Sequence, residues 1–257
     1  MLRIAVLVGM LVPMVVASGA ARADVDASAP YHMPGVFNHR SIGLELMLGT
    51  MDDAAADLLL IGFGLSLEYP ATRRLSLQAA LPVVHARGNG FAGTSLGNVT
   101  AGVAYLLSGS KGGRPIWSIA GSLSLPTAAD GGEAGAAADL HRVFRVPQPG
   151  LYQADTTTAR FSADVRIDER RLFAQLDMRT ELQFIDGGAN RMLLFFGMGG
   201  GARLTNRTSL IAELNTAIYA LVDEPVEDFL HTFELGLRHK SGTSAIGGRL
   251  YVPLDDS

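Results

Sequence analysis

The amino-acid sequence predicts an all-β chain that forms an antiparallel transmembrane β-barrel of roughly ten to twelve strands, with twelve as the best estimate, in meander order. Three observations predict this fold. Apolar and polar side chains alternate in segments that are often about ten or more residues long, the length at which a tilted strand crosses a bilayer. Tight links rich in turn residues alternate with mostly longer links. Aromatic residues cluster near the ends of the predicted strands.

The first residues have the pattern of a secretory signal peptide. Arg3 supplies a positive charge, an apolar run covers 4–16, and Ala21-Arg22-Ala23 is a small-residue cleavage site. The sequence therefore predicts a signal peptide at 1–23 with cleavage after Ala23, an N-terminal periplasmic segment at 24–40, and the barrel at 41–257. A single N-terminal anchor helix is the alternative interpretation of the apolar run.

The composition of the chain excludes several functional classes. The 257 residues carry a net charge of -4 and contain no cysteine, so disulfides and thiolate chemistry are excluded. No basic run is present, and nucleic acid is therefore not expected as a partner. After the predicted signal peptide no segment has the uncharged apolar length of a membrane-spanning helix.

Alternating side chains predict a series of strands without a helix between them. The predicted strands are Ser41–Leu48, Leu59–Tyr69, Leu75–Val84, Gly97–Leu107, Ile116–Leu125, Ala159–Asp168, Leu172–Ile185, Met192–Thr205, Ser209–Leu221, Phe229–Arg238 and Ala245–Leu254. Their number is odd, whereas bacterial barrels usually have an even number. We expect a twelfth strand in Tyr31–Asn38 or around Leu140–Val146, unless one predicted strand is not a crossing or a final strand is missing.

Alternation alone does not decide whether the apolar face meets a protein core or lipid. In Leu172–Ile185, for example, Leu176 and Met178 alternate with Gln175 and Asp177. Aromatic residues favour lipid, because rings of this kind concentrate at the two headgroup levels of a bilayer. Tyr69, Tyr105 and Trp117 lie beside tight links, and Phe161, Phe184 and Phe229 lie beside longer ones. Phe173 and Tyr219 are exceptions, since they fall on the polar face.

If the apolar face meets lipid, the polar face of each strand lines the interior of the barrel. The residues predicted to line the interior are Glu45, Glu68, Gln78, Arg160, Asp164, Arg166, Gln175, Asp177, Arg179, Glu181, Glu213, Asn215, Glu234, Arg238 and Arg249. Both signs of charge occur in this set. The interior is therefore expected to be either an ion-paired filling or a selective path for a solute.

The longer links are acidic, with Asp52, Asp53, Asp223 and Glu224 among their residues, whereas the tight links are mostly basic. Clustered carboxylates bind hard cations, but no calcium-binding loop pattern is present. We expect solvated loops, no metal site and no cofactor.

Three segments resemble a known family. LSLEYPATRRLSLQAALPVVHA, SLGNVTAGVAYLLSGS and PIWSIAGSLSLPTA resemble outer-membrane β-barrels of the meta-pathway phenol-degradation and related transporter-like proteins. Leu81-Pro82, Gly97-Asn98 and Leu125-Pro126-Thr127 occupy the places of that family's motifs, with Asn98 in place of its usual acidic residue. The resemblance implies an outer-membrane barrel that passes small, often apolar compounds. It implies no catalytic residue.

These observations predict a porin-like or transporter-like conduit for small molecules in the outer membrane of a Gram-negative bacterium, reached by export. The expected partners are the lipid bilayer, lipopolysaccharide and a small-molecule solute. A non-conducting structural or surface barrel with acidic extracellular loops is the second hypothesis. An outer-membrane lipid hydrolase is the third, based on the His39-Arg40-Ser41 spacing. We do not expect an enzyme, because that histidine and serine lie at the predicted periplasmic end of the first strand.

Overall fold

The structure is a computed structural model that describes residues 7–13, 41–53, 56–88, 90–108, 115–144, 151–221, 229–241 and 244–254. These residues form thirteen strands in one sheet and one helix. The strands are β1 Leu7–Pro13, β2 Ser41–Asp53, β3 Ala56–Pro70, β4 Leu75–Gly88, β5 Phe91–Leu96, β6 Thr100–Ser108, β7 Ile116–Ser124, β8 Thr156–Asp168, β9 Leu172–Ile185, β10 Arg191–Arg203, β11 Thr208–Leu221, β12 Phe229–Ser241 and β13 Ser244–Pro253. The helix α1 is Gly132–Phe144.

Backbone pairing closes the sheet on itself. Neighbouring strands follow the order β3-β2-β1-β13-β12-β11-β10-β9-β8-β7-β6-β4-β5, and a further pairing of β3, the first strand of that order, with β4, the last but one, closes the ring. All pairings are antiparallel. Because the ring is closed, each of its strands has a hydrogen-bonded neighbour on both sides. The fold is therefore an antiparallel β-barrel in meander order, as predicted.

The short strand β5 does not add a crossing. It pairs with the second half of β4, where Val83 lies opposite Leu96, while β6 pairs with the first half, where Ala80 lies opposite Thr100. The two strands are thus one crossing, interrupted at Gly97–Val99. The ring consequently has twelve members, which agrees with the predicted strand number.

Each of the eleven predicted segments is a strand, but several are longer than predicted. Two links that were expected to be loops, Gly49–Leu58 and His85–Leu96, are largely extensions of the strands: Asp53 pairs with Ala56, and Gly88 pairs with Phe91. At this end of the barrel, which we call the loop end, these two hairpins therefore continue the wall. The opposite end, with the links 71–74, 109–115, 169–171, 204–207 and 242–243, is the turn end.

The twelfth strand is not where the sequence predicted it. Leu140–Val146 was a candidate, but Leu140–Phe144 belongs to helix α1, so that prediction was wrong. The other candidate, Tyr31–Asn38, lies outside the described residues, as does the predicted periplasmic segment 24–40. The twelfth position is taken by β1, which pairs with β2 on one side and β13 on the other.

Strand β1 lies within the predicted signal peptide. Its apolar sequence LVGMLVP is compatible with a barrel strand and with the apolar core of a signal peptide, because a short uncharged run does not distinguish the two. Cleavage after Ala23 stays a prediction, and such cleavage would remove this strand from the barrel.

Helix α1 was also not predicted. It lies in the connection between β7 and β8 and has an alanine-rich sequence, GEAGAAADLHRVF, with acidic Glu133 in its first turn, where the helix dipole favours negative charge. No helix in the described part of the chain has both the length and the apolar character needed to cross a membrane.

The two faces of the wall differ in exposure with the expected period of two. On β9, Leu176 and Met178 are 51% and 59% exposed, whereas Asp177 between them is 1% exposed. The same pattern recurs around the ring, with large apolar side chains outside. Further examples on the outer face are Leu67, Leu77, Val103, Ile119, Ile167, Met198, Leu237 and Leu250. This exterior is the surface that a transmembrane barrel turns toward lipid.

Aromatic side chains outside lie near both ends of the barrel. Tyr69, Tyr105 and Trp117 are exposed near the turn end, and Phe161 and Phe184 are exposed toward the loop end. The side chain of Phe229 is outside the described part. Phe173 and Tyr219, the two aromatic residues that fall on the polar face of their strands in the sequence, point into the barrel.

A charge on the outer face should destabilise the barrel. We expect Met178→Arg to lower the free energy of unfolding by about 2–4 kcal/mol, because Met178 lies in the middle of β9 and a cation there would sit near the bilayer midplane. Urea titration of the protein refolded in lipid vesicles measures this change. Asn206→Arg in the exposed link 204–207 is the control and should be nearly neutral. Equal effects of both substitutions would contradict the lipid-facing assignment.

Signal-peptide cleavage, if it occurs, removes β1 from the mature protein. We expect the exported protein to begin at Asp24, because the Ala21-Arg22-Ala23 pattern precedes it. N-terminal sequencing and intact-mass measurement of the membrane fraction test this. A membrane-inserted protein that still contains 7–13 would show instead that β1 is a permanent member of the ring.

Candidate functional site

The barrel interior is the candidate functional site. Every residue predicted to line it lies on the inward face, and all are buried or partly buried. The partly buried ones are Glu45, Glu68, Gln78 and Arg160, and the buried ones are Asp164, Arg166, Gln175, Asp177, Arg179, Glu181, Glu213, Asn215, Glu234, Arg238 and Arg249. Period-two alternation puts them there, because each follows an outward-facing residue on its strand.

Strands β8 and β9 form a ladder of ionisable groups across their pairing. Arg160 lies opposite Glu181 in the register, and its Nε donates to the Glu181 carboxylate at 2.6 Å. Arg179 donates to Asp177 on the same strand at 3.0 Å. Asp164 lies directly opposite Asp177, so two acidic side chains face each other next to the Arg179 guanidinium. Charge-assisted hydrogen bonds of this kind offset the cost of burying the groups.

A second cluster lies at the turn end. Asp168 accepts from Arg166 at 2.9 Å and from Arg203 at 2.7 Å, and so bridges the two cations. The ring of Phe173 lies between the same guanidinium groups, 4.9 Å from that of Arg166 and 5.8 Å from that of Arg203. A guanidinium above an aromatic face is attracted to it. An inward phenylalanine is therefore part of the charged network.

A third cluster joins three strands. Arg249 on β13 donates to Glu234 on β12 at 2.8 Å and to Glu45 on β2 at 2.6 Å. Glu45 and Arg249 belong to strands on either side of β1, so their ion pair spans the place where the first and last parts of the ring meet. This contact therefore ties β13 to β2 independently of β1.

The interior has an apolar wall that the sequence did not reveal. Met47, Leu60, Val84 and Ala86 point inward from β2, β3 and β4, and Tyr251 does so from β13. The strand patterns of β2–β4 are nearly apolar on both faces, so their period gives no signal for an apolar interior. The inward face of β2–β4 is therefore apolar toward the loop end, while Glu45, Glu68 and Gln78 lie nearer the turn end of the same strands. Most of the inward charges lie on β8, β9 and β11–β13.

Helix α1 covers the apolar wall from inside the barrel. Ala137 and the partly buried Leu140 pack against Met47, Leu60 and Tyr251, which belong to three different strands. The helix also lies directly on β5, where a Cβ on Gly93 would overlap the carbonyl oxygen of Glu133. We call the connection between β7 and β8, with described residues 125–144 and 151–155, the plug, because it occupies the interior at the loop end.

The C-terminal part of the plug returns along the same wall. Leu151 and Tyr152 pack with Val84 and Ala138, and the Tyr152 ring lies 5.8 Å from that of His141. His141 is fully buried, and its Nδ1 lies 3.1 Å from the carbonyl oxygen of Ala137. Only a narrow gap, too small to hold a water molecule, remains between Tyr152 and the wall residues Glu45, Met47 and Gly62.

The ionisable side chains of the interior are mostly arginine, aspartate and glutamate. In the described ranges no three His, Asp or Glu side chains are grouped to hold a metal ion. His39 and Arg40 of the His39-Arg40-Ser41 motif lie outside those ranges, so the geometry of that motif is not described. The groups brought together are buried cations, carboxylates and an apolar wall.

Comparisons with known proteins support the fold. No family model matches the chain, and no curated protein matches it. Among solved structures it is similar to the COG4313 outer membrane channel from Pseudomonas putida F1, with a TM-score of 0.51 and 12% identity over 99% of this chain and 97% of that one. A match to CdiB from Acinetobacter baumannii has a TM-score of 0.31 and 10% identity, over 98% of this chain and 60% of that one. At these identities the likeness concerns the fold alone.

Removal of the cation between Glu45 and Glu234 should strongly destabilise the barrel. We expect Arg249→Met to lower the free energy of unfolding by about 3–5 kcal/mol, because the buried Glu234 and the partly buried Glu45 lose the cation that they share. Urea unfolding in detergent micelles measures the loss.

The triple variant Glu45→Gln, Glu234→Gln, Arg249→Met should recover much of this stability, because it removes all three charges together. If the single and triple variants are equally unstable, packing of the Arg249 side chain rather than its charge holds the cluster.

Proposed function

We propose that the protein is an outer-membrane conduit for small molecules in a Gram-negative bacterium. The observation that carries this proposal is a closed barrel whose outside is apolar and whose inside holds charged side chains and a folded-in plug. A barrel built only as a lipid-facing scaffold does not need an interior connection of this kind. The solved channel of similar fold is consistent with this function.

The two-sided interior supports a solute with both apolar and polar parts. An apolar portion would contact the wall formed by Met47, Leu60 and Val84, while polar groups would face the charged ladder of β8 and β9. This agrees with the meta-pathway resemblance, which implies small and often apolar compounds. We therefore propose small amphipathic organic molecules as the solute class.

The apolar exterior supports the lipid bilayer and lipopolysaccharide as further proposed partners. The apolar band would contact acyl chains of the outer membrane, with Tyr69 and Trp117 at the headgroup level near the turn end. We place the turn end in the periplasm and the loop end outside, where the acidic links would meet lipopolysaccharide and its bound cations.

A non-conducting structural barrel is the second candidate. One observation favours it: large polar side chains such as Arg166, Gln175 and Glu181 are fully buried, so the interior is well filled in this conformation. A conduit of this type must therefore move its plug to conduct, whereas a scaffold does not. A lipid hydrolase stays the third hypothesis, because His39 of the His39-Arg40-Ser41 spacing lies outside the described residues. That the protein is not an enzyme stays a prediction.

Conductance distinguishes the first two candidates. We expect wild-type protein in planar lipid bilayers to give small, discrete current steps, and Gly93→Leu to give larger ones. A leucine at residue 93 would collide with the Glu133 carbonyl and displace the helix from β5. Uptake of small aromatic acids into proteoliposomes tests the solute class in parallel.

Gly131→Leu is the matched control, since a Cβ at Gly131 meets no atom within 4 Å. It should conduct like the wild type. If neither the wild type nor Gly93→Leu conducts or takes up solute, while both remain folded by heat-modifiable mobility on a gel, the structural-barrel hypothesis replaces the conduit.

A further inference from the structure

Asn98 is a fully buried polar residue at the interruption between β5 and β6. Its side chain makes four hydrogen bonds to backbone groups, three of them in the plug and one at Thr156, the first residue of β8. In the family that the sequence resembles, an acidic residue usually occupies this position, and the sequence alone predicts no role for Asn98.

One side of the Asn98 amide holds the N-terminal end of the plug. Its Oδ1 accepts hydrogen bonds from the backbone N–H groups of Thr127 and Ala128, both at 2.9 Å. Two neighbouring contacts add to this end: the Thr127 hydroxyl donates to the carbonyl oxygen of Gly97 at 2.7 Å, and Ser95 Oγ accepts from Ala129 N–H at 3.2 Å.

The other side of the amide holds the C-terminal end. Its Nδ2 donates to the carbonyl oxygens of Gln153 at 2.8 Å and Thr156 at 3.4 Å. The backbone N–H of Asn98 also donates to Leu151 at 2.6 Å. A single side chain therefore joins backbone groups that are separated by 25 or more residues of plug sequence, as from Ala128 to Gln153.

The chemistry of these contacts requires an amide. Two N–H donors of the plug need an acceptor, and the carbonyls of Gln153 and Thr156 need a donor, so the orientation of the Asn98 amide is fixed by its partners. An aspartate of the same size keeps the acceptor but, when ionised, turns an oxygen toward two carbonyl oxygens. Alanine removes both functions and leaves buried backbone groups without these bonds.

From these contacts we propose that Asn98 is the positioning residue that keeps the plug inside the barrel. Its side chain hydrogen-bonds to both ends of the plug at one point of the wall. These bonds keep α1, which lies between the two ends, on the apolar wall; we call this the anchorage. Loss of the amide weakens both attachments: the N-terminal end keeps only the Thr127 and Ser95 contacts, and the C-terminal end keeps the bond from the Asn98 N–H to Leu151 and the packing of Leu151 and Tyr152. The inference rests on the proposed conduit for its effect on conductance, but release of the plug is a separate observable.

Trypsin reports release of the plug. The sequence places its two tryptic sites between Thr127 and Thr156 at Arg142 and Arg145. We expect wild-type protein in liposomes to be cut slowly there and Asn98→Ala about ten-fold faster or more, since several buried hydrogen bonds are lost. Peptide mass spectrometry identifies the cut bonds, and conductance is recorded on the same preparations. Asn98→Ala should show larger current steps than the wild type.

Asn206→Ala, in the exposed link 204–207, is the matched asparagine control and should behave like the wild type in both assays. Asn98→Asp is the second variant; it keeps the acceptor, so its cutting rate should lie between those of the wild type and Asn98→Ala. If Asn98→Ala does not fold, Asn98→Asp carries the test alone.

The outcomes separate the two proposals. Faster cutting at Arg142 or Arg145 without any current in wild type or variants supports the Asn98 anchorage and removes the conduit. Wild-type current with unchanged cutting and unchanged current in a folded Asn98 variant overturns the anchorage and leaves the conduit in place.

Discussion

The backbone of a membrane-spanning sheet has no water with which to hydrogen-bond, so the sheet must close on itself. The rest of this structure depends on that constraint. Closure gives every strand two partners and fixes a single inward face for each residue. Because the outer face must be apolar, the polar residues of all twelve crossings are forced into one narrow interior, where they have to satisfy one another.

The interior meets this requirement in two ways. Where the wall is charged, cations bridge carboxylates on neighbouring strands, as Arg249 does between Glu45 and Glu234. Where the wall is apolar, a second layer of protein is needed, and α1 supplies it with Ala137 and Leu140. The plug is therefore a consequence of the apolar wall as well as a potential control of the path. A protein with charges all round its interior would have had nowhere to dock such a helix.

Strands were predictable because their signal is local. The alternation of Leu172–Ile185 alone defines β9 and its two faces, and the structure has the same bounds. The plug was not predictable in this way. Its helix is short, rich in alanine and glycine, and packs against residues of β2, β3, β4 and β13, which are remote in sequence. Asn98 illustrates the same limit, since its partners lie about 30 and 55 residues further along the chain.

An even number of antiparallel strands requires β1 in the ring, whereas the predicted cleavage after Ala23 would remove it. Both β2 and β13 are antiparallel to β1, so they run parallel to each other, and removal of β1 would leave an odd number of crossings. An exported chain that loses 1–23 must then close through a parallel β2 and β13 pair or through another segment of the chain. The ion pair between Glu45 and Arg249 already connects these two strands across the position of β1. In a chain without β1 this side-chain contact would hold the two edges near each other.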